Sequence, residues 1–430
     1  MSGKKSLFRC LFCTALLFIA VPFSRAQTPP PTPAPCIPAP CPAPAPAPQA
    51  KDEPRLEIYG FVMTDFGYNI DTIDPLWFDT MRPTKLPSFP GEFGRNGITF
   101  AGVRQTRNGV KAFIDTPKGE LKITFEWELF GVGVDAGQTT FRLRHAYGEL
   151  GHFGAGQTWS PFMDPDVFPN SLEYWGPSGM VFFRNVQVRY MPIMTDHDNL
   201  TVALERPGSS QDFTVFGVRI EDPEVNARFQ YPDLSGSYKH SGSFGYIRGA
   251  AIVRNTRLDD NRTVPAGLNF DQTLTGWGIN VSTNIKVGSD KNVLKGSYVY
   301  GKGIENYMND APVDIAIEPN PDTPTQPFKG VNLPVRGIVA FYDHYWSDKF
   351  SSSIGYSQTR ITNTVFQSPR EFHKGDYALA NLLVYPTNNV MFGGEFQWGR
   401  RSNFSDGFRF NDYKIQFSFK FDYSAKILLK

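Results

Sequence analysis

The chain has 430 residues, and its 43 Lys and Arg nearly balance its 42 Asp and Glu. This balance argues against nucleic-acid binding, which usually requires a basic excess. The mean hydropathy of −0.32 argues against a bundle of membrane-spanning helices. It is compatible with a membrane β-barrel, because the strands of a barrel alternate apolar and polar residues.

Residues 1–26 have the three-part pattern of a secretory signal peptide. Lys4, Lys5 and Arg9 form a positive segment, residues 11–23 are almost wholly apolar, and residues 24–26 supply small residues at the cleavage spacing. This pattern predicts export and cleavage after residue 26. A retained membrane anchor is the alternative, but the apolar run is short for a spanning helix of about 20 residues.

Residues 27–54 are predicted to be a proline-rich periplasmic linker. Proline stands at nearly every second position of residues 28–48, which forbids helix and sheet and favours extended polyproline II. We expect a semi-rigid spacer, with docking to the cell wall or to a partner protein as the alternative. Cys36 and Cys41 lie in this linker, where they could form a disulfide bond with each other or with a neighbouring chain, or remain free thiols.

Residues 55–430 carry the pattern of a transmembrane β-barrel. Apolar residues recur at every second position in runs of about ten, and Gly, Asn, Asp and Pro separate the runs. In residues 414–423 the odd positions are all Ile, Phe or Tyr, and the even positions are all Lys, Gln, Ser or Asp. Residues 121–129 repeat this alternation. Because such a strand suits a wall between lipid and a wet lumen, we predict an all-β, antiparallel, up-and-down barrel.

The predicted strands number about sixteen, an even count as expected of single-chain bacterial barrels. A further strand within residues 208–227 leaves fourteen or eighteen as alternatives. Tight turns alternate with long connections. We place the long connections on the extracellular side. The long connections are residues 69–97, 160–179, 257–272, 306–333 and 363–373. The strand ranges are 56–68, 98–116, 121–129, 139–150, 152–159, 180–191, 198–206, 228–241, 243–256, 273–287, 291–305, 334–346, 349–362, 374–385, 388–402 and 414–423.

No feature of the sequence predicts catalysis. The chain has six His, and it contains no Gly-x-Ser-x-Gly elbow, no His-Glu-x-x-His pair and no phosphate-binding loop. Because residues 55–430 contain no Cys, a cysteine metal site is excluded there. We therefore expect neither enzyme activity nor a bound cofactor.

Basic residues gather on the polar faces of several predicted strands. Arg142 and Arg144, for example, share a face opposite Phe141 and Leu143. Arginines in a narrow, watery constriction create a positive field, and their planar guanidinium groups suit carboxylates and phosphates. We therefore predict an anion-attracting pore lining formed by Arg104, Arg107, Lys111, Lys122, Arg142, Arg144, Arg184 and Arg189.

An alternative for these basic residues is that they pair with acidic residues and only fill a polar lumen. Glu126, Glu128 and Glu149 are the available partners. Arg184 also stands one residue out of step with Arg189, so a bulge or a strand end must place it in the lumen.

Loop 160–179 is the predicted constriction loop. It is too rich in aromatic residues for a freely solvated loop, and its prolines stiffen it. Folded into the barrel, it would narrow the pore and set its size limit. The constriction residues are then Asp164, Asp166, Tyr174 and Trp175. The two aspartates could alternatively bind calcium, although they lack the EF-hand spacing.

Three segments resemble the DcaP-like porins. They are residues 142–150 (RLRHAYGEL), 156–164 (GQTWSPFMD) and 184–190 (RNVQVRY). Residues 104–111 resemble a second-strand motif shared more widely among porins. The resemblance implies a sixteen-stranded outer-membrane channel that forms homotrimers and is associated with dicarboxylates and related small anions. It also implies that the pore is lined by Arg142, Arg144, Arg184 and Arg189.

These observations favour an outer-membrane porin for passive diffusion of small hydrophilic solutes, above all anions such as dicarboxylates. Its expected partners are outer-membrane lipid, two further copies of the chain and the barrel-assembly machinery. A phosphate or sugar porin is an alternative, but a sugar pore would carry aromatic residues on its lumen face, and here most aromatics fall on the apolar face. A plugged barrel with a structural, adhesive or receptor role would not conduct, and a soluble secreted β-protein would leave membranes without detergent.

Overall fold

The alternating sequence folds into antiparallel strands. The computed structural model describes residues 54–208, 225–260, 269 and 271–429. The predicted signal peptide, nearly all of the linker, and Cys36 and Cys41 lie outside these residues. Twenty strands of the described residues, β1 to β20 in chain order, span Arg55–Asn69, Ile98–Gly102, Arg107–Thr116, Gly119–Phe130, Thr139–Leu150, Phe153–Trp159, Arg184–Met194, Asp198–Glu205, Val225–Arg228, Asp233–Gly242, Gly245–Asp260, Gln272–Val287, Ser289–Lys302, Ile315–Pro319, Phe328–Asn332, Pro334–Ser347, Phe350–Ile361, Phe372–Thr387, Val390–Asn403 and Arg409–Leu428.

The strands close into one barrel. β20 pairs with β1 along its length, from Lys414 opposite Asn69 to Leu428 opposite Arg55. β2 and β3 both pair with β1, and β9 and β10 both pair with β11, so each couple forms one interrupted strand. With β14 and β15 paired apart from the barrel, sixteen strand positions result. The sixteen-stranded antiparallel barrel predicted from the alternation is confirmed.

The second barrel strand is broken at residues 103–106, where the sequence predicted one continuous strand over 98–116. The amide of Thr106 donates to the carbonyl of Val103, and the Thr106 hydroxyl bonds the backbone of Met63 on β1. The continuous strand was wrong here, because a tight turn replaces strand pairing. Arg104 lies in this turn, so strand alternation does not determine which way its side chain points.

The two faces of each strand differ as the alternation predicted. On β20, Phe417 and Phe419 are exposed on the outer face, whereas Gln416 and Ser418 are buried on the inner face. An apolar outer face suits lipid, and a polar inner face suits a hydrated lumen.

The described residues contain no helix with the length and apolar character needed to cross a membrane. Their helical segments are 3-10 turns in the connections, at Pro75–Trp77, Pro83–Lys85, Gly133–Asp135, Pro165–Val167 and Glu305–Tyr307.

Short turns and long loops lie at opposite ends of the barrel. The turns include residues 117–118 and 243–244, while the loops include residues 70–97, 160–183 and 303–333. In outer-membrane barrels the long loops face the cell exterior, so we call their end the extracellular end. The β14–β15 hairpin lies in the last of these loops.

Candidate pore constriction

Three long loops fold into the lumen. Residues 70–97, 160–183 and 303–314 bury apolar side chains against one another and against the barrel wall. Among these side chains are Ile73, Met81, Leu86, Phe162, Met163, Ile304 and Tyr307. Burial of apolar surface is favourable by roughly 25 cal/mol per Å², which stabilises the loops inside the barrel. The inward-folded loop predicted at 160–179 is present, and two further loops share the lumen.

Two aspartates join the constriction loop, residues 160–183, to the strands β10 to β12. Asp164 accepts hydrogen bonds from the Tyr246 hydroxyl at 2.8 Å and the Ser282 hydroxyl at 2.5 Å. Asp166 forms an ion pair with Lys239 at 2.8 Å. The described residues contain no group of three or more His, Cys, Asp or Glu that could hold a metal ion. The contacts of the two aspartates hold the constriction loop against these strands.

Glu395 of β19 holds the middle of the constriction loop. Its carboxylate accepts hydrogen bonds from the Leu172 amide at 2.8 Å and the Glu173 amide at 3.1 Å. Glu173 in turn accepts a hydrogen bond from the Met81 amide at 3.1 Å, which joins this loop to loop 70–97. Burial raises the pKa of the Glu173 carboxyl group above its usual value, and the charge of Lys414 opposes this shift.

Four arginines surround two glutamates on the inner face of the barrel. We call the set the arginine cluster: Arg107, Arg142, Arg144 and Arg184. Arg144 contacts both Glu126 and Glu128 at 2.6 Å. The other three arginines lie 3.3–3.7 Å from the fully buried Glu128 carboxylate. Because four guanidinium groups face two carboxylates, the cluster carries a positive excess.

A β-bulge places two consecutive residues of β5 inside the barrel. Glu126 pairs with His145 and the next residue, Trp127, pairs with Leu143, so Arg144 has no cross-strand partner. Such an extra residue bends the strand and redirects its side chains. Arg144 and His145 are consequently both buried, whereas simple alternation would have placed one of them on the lipid face.

Tyr174 joins the constriction loop to the arginine cluster. Its hydroxyl donates to Glu128 and accepts a hydrogen bond from Arg142 at 3.2 Å. Its ring stacks on Phe130 with centroids 3.7 Å apart. Trp175 donates from Nε1 to a backbone carbonyl of loop 303–314 at 2.9 Å. The two aromatic residues predicted at the constriction therefore lie where two lumen loops meet the basic wall.

We expect Tyr174→Phe to lower the free energy of unfolding by about 1–3 kcal/mol, because buried Glu128 loses a hydrogen bond while the ring keeps its stacking. Urea unfolding of the refolded protein in detergent, followed by tryptophan fluorescence, measures this change. Tyr190→Phe is the matched control on the exposed outer face, with an expected change within about 0.5 kcal/mol. Equal stability of Tyr174→Phe and the wild type would show that the hydroxyl does not stabilise the loop.

A cavity of about 470 Å³ lies next to the arginine cluster. Its charged lining residues are the cations Arg82, Lys85 and Arg142 and the acid Asp74. The Arg82 guanidinium lies beside two tryptophan rings, 4.1 Å and 3.9 Å from their centroids, and also pairs with the buried Asp310 at 3.0 Å. The cavity wall is therefore more basic than acidic.

The remaining predicted pore residues lie outside the cluster: Arg104, Lys111, Lys122 and Arg189. Arg104 is buried and pairs with Asp79 of loop 70–97 at 2.6 Å, which is a contact between loop and wall. Lys111 lies 4.8 Å from the Tyr59 ring, and Lys122 lies 3.7 Å from Glu149. Arg189 bonds the Gln187 side chain at 2.9 Å.

Three residues of the site were not singled out from the sequence. Arg82 and Lys85 lie in loop 70–97, where no periodic pattern indicates which side chains reach the lumen. Glu395 did carry a signal, because it occupies a lumen position on β19 between the exposed Phe392 and Phe396. A carboxylate at a buried barrel position indicates a donor nearby.

Comparisons with known proteins identify the family. The model of the DcaP outer membrane protein family matches residues 48–410, and no curated protein matches the chain. Solved structures of other outer-membrane proteins share the fold. The outer membrane channel DcaP of Acinetobacter baumannii has a TM-score of 0.71 and 19% identity, over 87% of this chain and 99% of that one.

The anion-selective porin from Comamonas acidovorans has a TM-score of 0.55 and 10% identity, over 86% of this chain and 100% of that one. OmpT of Vibrio cholerae has a TM-score of 0.51 and 10% identity, over 87% of this chain and 99% of that one. At 10–19% sequence identity these structures show only a shared fold, whereas the match to the family model shows the family. The chain therefore belongs to the DcaP outer membrane protein family and is a β-barrel channel of the bacterial outer membrane.

Proposed function

We propose that this channel lets small anions, above all carboxylates, diffuse through a positively charged constriction. The observation that supports this most is the arginine cluster, whose four guanidinium groups outnumber Glu126 and Glu128 where Tyr174 meets the wall. Low-dielectric walls focus such a field and concentrate anions at the constriction. Guanidinium groups also match carboxylates in a bidentate geometry.

The four arginines divide into two roles under this proposal. The side chains of Arg107 and Arg142 are 27% and 11% exposed, whereas those of Arg144 and Arg184 are 5% and 1% exposed. Arg107 and Arg142 would therefore meet solutes directly. Arg144 and Arg184 would stabilise the buried Glu128 and add to the field.

The neighbouring cavity supports a preference for solutes with two carboxylates. Arg82 and Lys85 come from loop 70–97 and Arg142 comes from β5, and all three line the same space. A dicarboxylate could contact the cations of loop 70–97 with one carboxylate and Arg142 of β5 with the other. A monocarboxylate could contact the cations of only one of these elements.

A plugged barrel is the second candidate function. It is favoured by the apolar core that three loops build inside the lumen. A liposome-swelling assay separates the two candidates, with succinate compared against an uncharged solute and a diamine of similar size. We expect the fastest swelling with succinate and the slowest with the diamine. Absence of swelling with every solute would favour the plugged barrel, and fastest swelling with the diamine would contradict the anion proposal.

We further propose that the channel works as a homotrimer, as the resemblance to DcaP-like porins implies. Insertion of one assembly into a planar bilayer should then produce conductance that closes in three equal steps. Single-step closure in every recording, together with a monomeric mass in detergent, would contradict the trimer.

A further inference from the structure

A row of basic residues crosses the outer, lipid-facing surface of the barrel. Arg336 of β16 lies directly opposite Arg360 of β17, which in turn lies opposite Lys374 of β18. Both arginines are exposed. They share their strand faces with the exposed apolar residues Ile338 and Ile354. The two guanidinium groups therefore lie on the side of the wall that faces lipid.

The charges of these two arginines are not compensated within the described part of the chain. Neither Arg336 nor Arg360 makes an ion pair or a hydrogen bond there. The nearby carboxylate of Asp376 is occupied by Arg400 at 2.7 Å and Lys374 at 3.2 Å. Like charges directly opposite each other on neighbouring strands are destabilising. An anion bound from outside the protein would remove this repulsion.

The height of the row matches the head-group layer of the outer leaflet. Arg360 lies ten residues along β17 from Phe350, an exposed aromatic residue at the short-turn end. At about 3.4 Å per residue and a strand tilt of about 40°, this spacing is about 26 Å along the membrane normal. The apolar band of such barrels is about 25 Å tall. The row therefore lies at the extracellular edge of the apolar band.

We propose that Arg336 and Arg360, with Lys374 beside them, bind the phosphate groups of lipid A, the phosphorylated glycolipid of the outer leaflet. Two adjacent guanidinium groups offer paired donors to phosphate oxygens, which suits phosphate better than a single ammonium group does. Below the row, the exposed surface of Ile338 and Ile354 can receive acyl chains. This combination of basic residues above apolar surface fits a phosphorylated amphiphile.

Native mass spectrometry of the full refolded protein in detergent tests this proposal. Diphosphorylated lipid A, dephosphorylated lipid A and inorganic phosphate are each titrated against the wild type and the variant R336Q/R360Q. We expect the wild type to bind the diphosphorylated lipid most tightly. We expect the variant to bind it at least about tenfold more weakly, because it lacks two surface cations that attract the lipid phosphates.

R228Q/R257Q is the matched control. It removes the same charge near the same end of the barrel, but its arginines already pair with Asp259 at 3.5 Å and 3.3 Å. We expect its affinity for lipid A to stay within about twofold of the wild type. Equal affinity of R336Q/R360Q and the wild type would overturn the proposal. Binding of dephosphorylated lipid or inorganic phosphate as tight as that of lipid A would overturn it as well.

Two further measurements keep the result interpretable. Heat-dependent mobility in gel electrophoresis reports whether R336Q/R360Q is folded, and the single variants R336Q and R360Q replace it if it is not. Single-channel conductance of R336Q/R360Q should equal that of the wild type, because the row lies outside the lumen. The lipid-binding test is independent of the proposed pore function, so a pore that does not select anions would not change its outcome.

Discussion

Glu128→Gln should lower the free energy of unfolding by about 3–5 kcal/mol, the usual cost of breaking a buried ion pair. Glu128 is completely buried and contacts all four arginines of the cluster. Glutamine has nearly the same shape, so the loss arises from the missing charge and not from a cavity. Urea unfolding of the refolded protein in detergent measures this loss.

Glu126→Gln is the matched control for this substitution. Glu126 lies two positions away on the same face of β4, but Arg144 is its close ionic partner, with Arg107 at 3.9 Å. We expect a smaller loss of stability for Glu126→Gln than for Glu128→Gln. The reverse order would show that Glu128 is not the centre of the cluster.

Glu395→Ala should release the constriction loop from the wall. The substitution removes the acceptor for the amides of Leu172 and Glu173. Each hydrogen bond to a charged group contributes about 1.5–3 kcal/mol, so the docked loop would lose about 3–6 kcal/mol of stabilisation. In planar bilayers we expect a larger single-channel conductance and frequent transitions between conductance levels.

Gln397→Ala is the control for loop release. Gln397 lies on the same face of β19, and its side-chain amide donates to Glu395 and Gln416 on the wall. We expect its conductance to remain steady and close to that of the wild type. If Glu395→Ala conducts like Gln397→Ala, the two amide contacts do not hold the loop in place.

The barrel could be predicted from the sequence because its physics is local. Each strand faces lipid on one side and a wet lumen on the other, so the period of two is repeated in every strand, as residues 414–423 illustrate. Strand ends were less predictable. β20 extends from Arg409 to Leu428, since backbone pairing with β1 continues past the alternating segment. The break at residues 103–106 was missed because a turn stabilised by a side chain leaves no periodic signature.

Alternation predicted the orientation of site residues only on the strands, whereas Tyr174 and Trp175 were predicted from the aromatic composition of their loop. Arg142 and Arg144 were placed in the lumen by parity, and the alternative partners Glu126 and Glu128 do contact them. Strand alternation does not apply to residues of the lumen loops. Arg82 reaches the cavity because loop 70–97 folds over itself and packs against two further loops, and such long-range packing has no local pattern.

Arg107 and Arg142, the two less buried arginines of the cluster, are expected to make the constriction prefer anions. The reversal potential of single channels under a KCl gradient tests it most directly, with the wild type compared against Arg107→Gln/Arg142→Gln. We predict that the wild-type reversal potential is displaced from zero toward the equilibrium potential of chloride. The reversal potential of the double variant should lie closer to zero. A wild-type reversal potential displaced toward the equilibrium potential of potassium would contradict anion preference. An unchanged reversal potential in the double variant would show that Arg107 and Arg142 do not cause it.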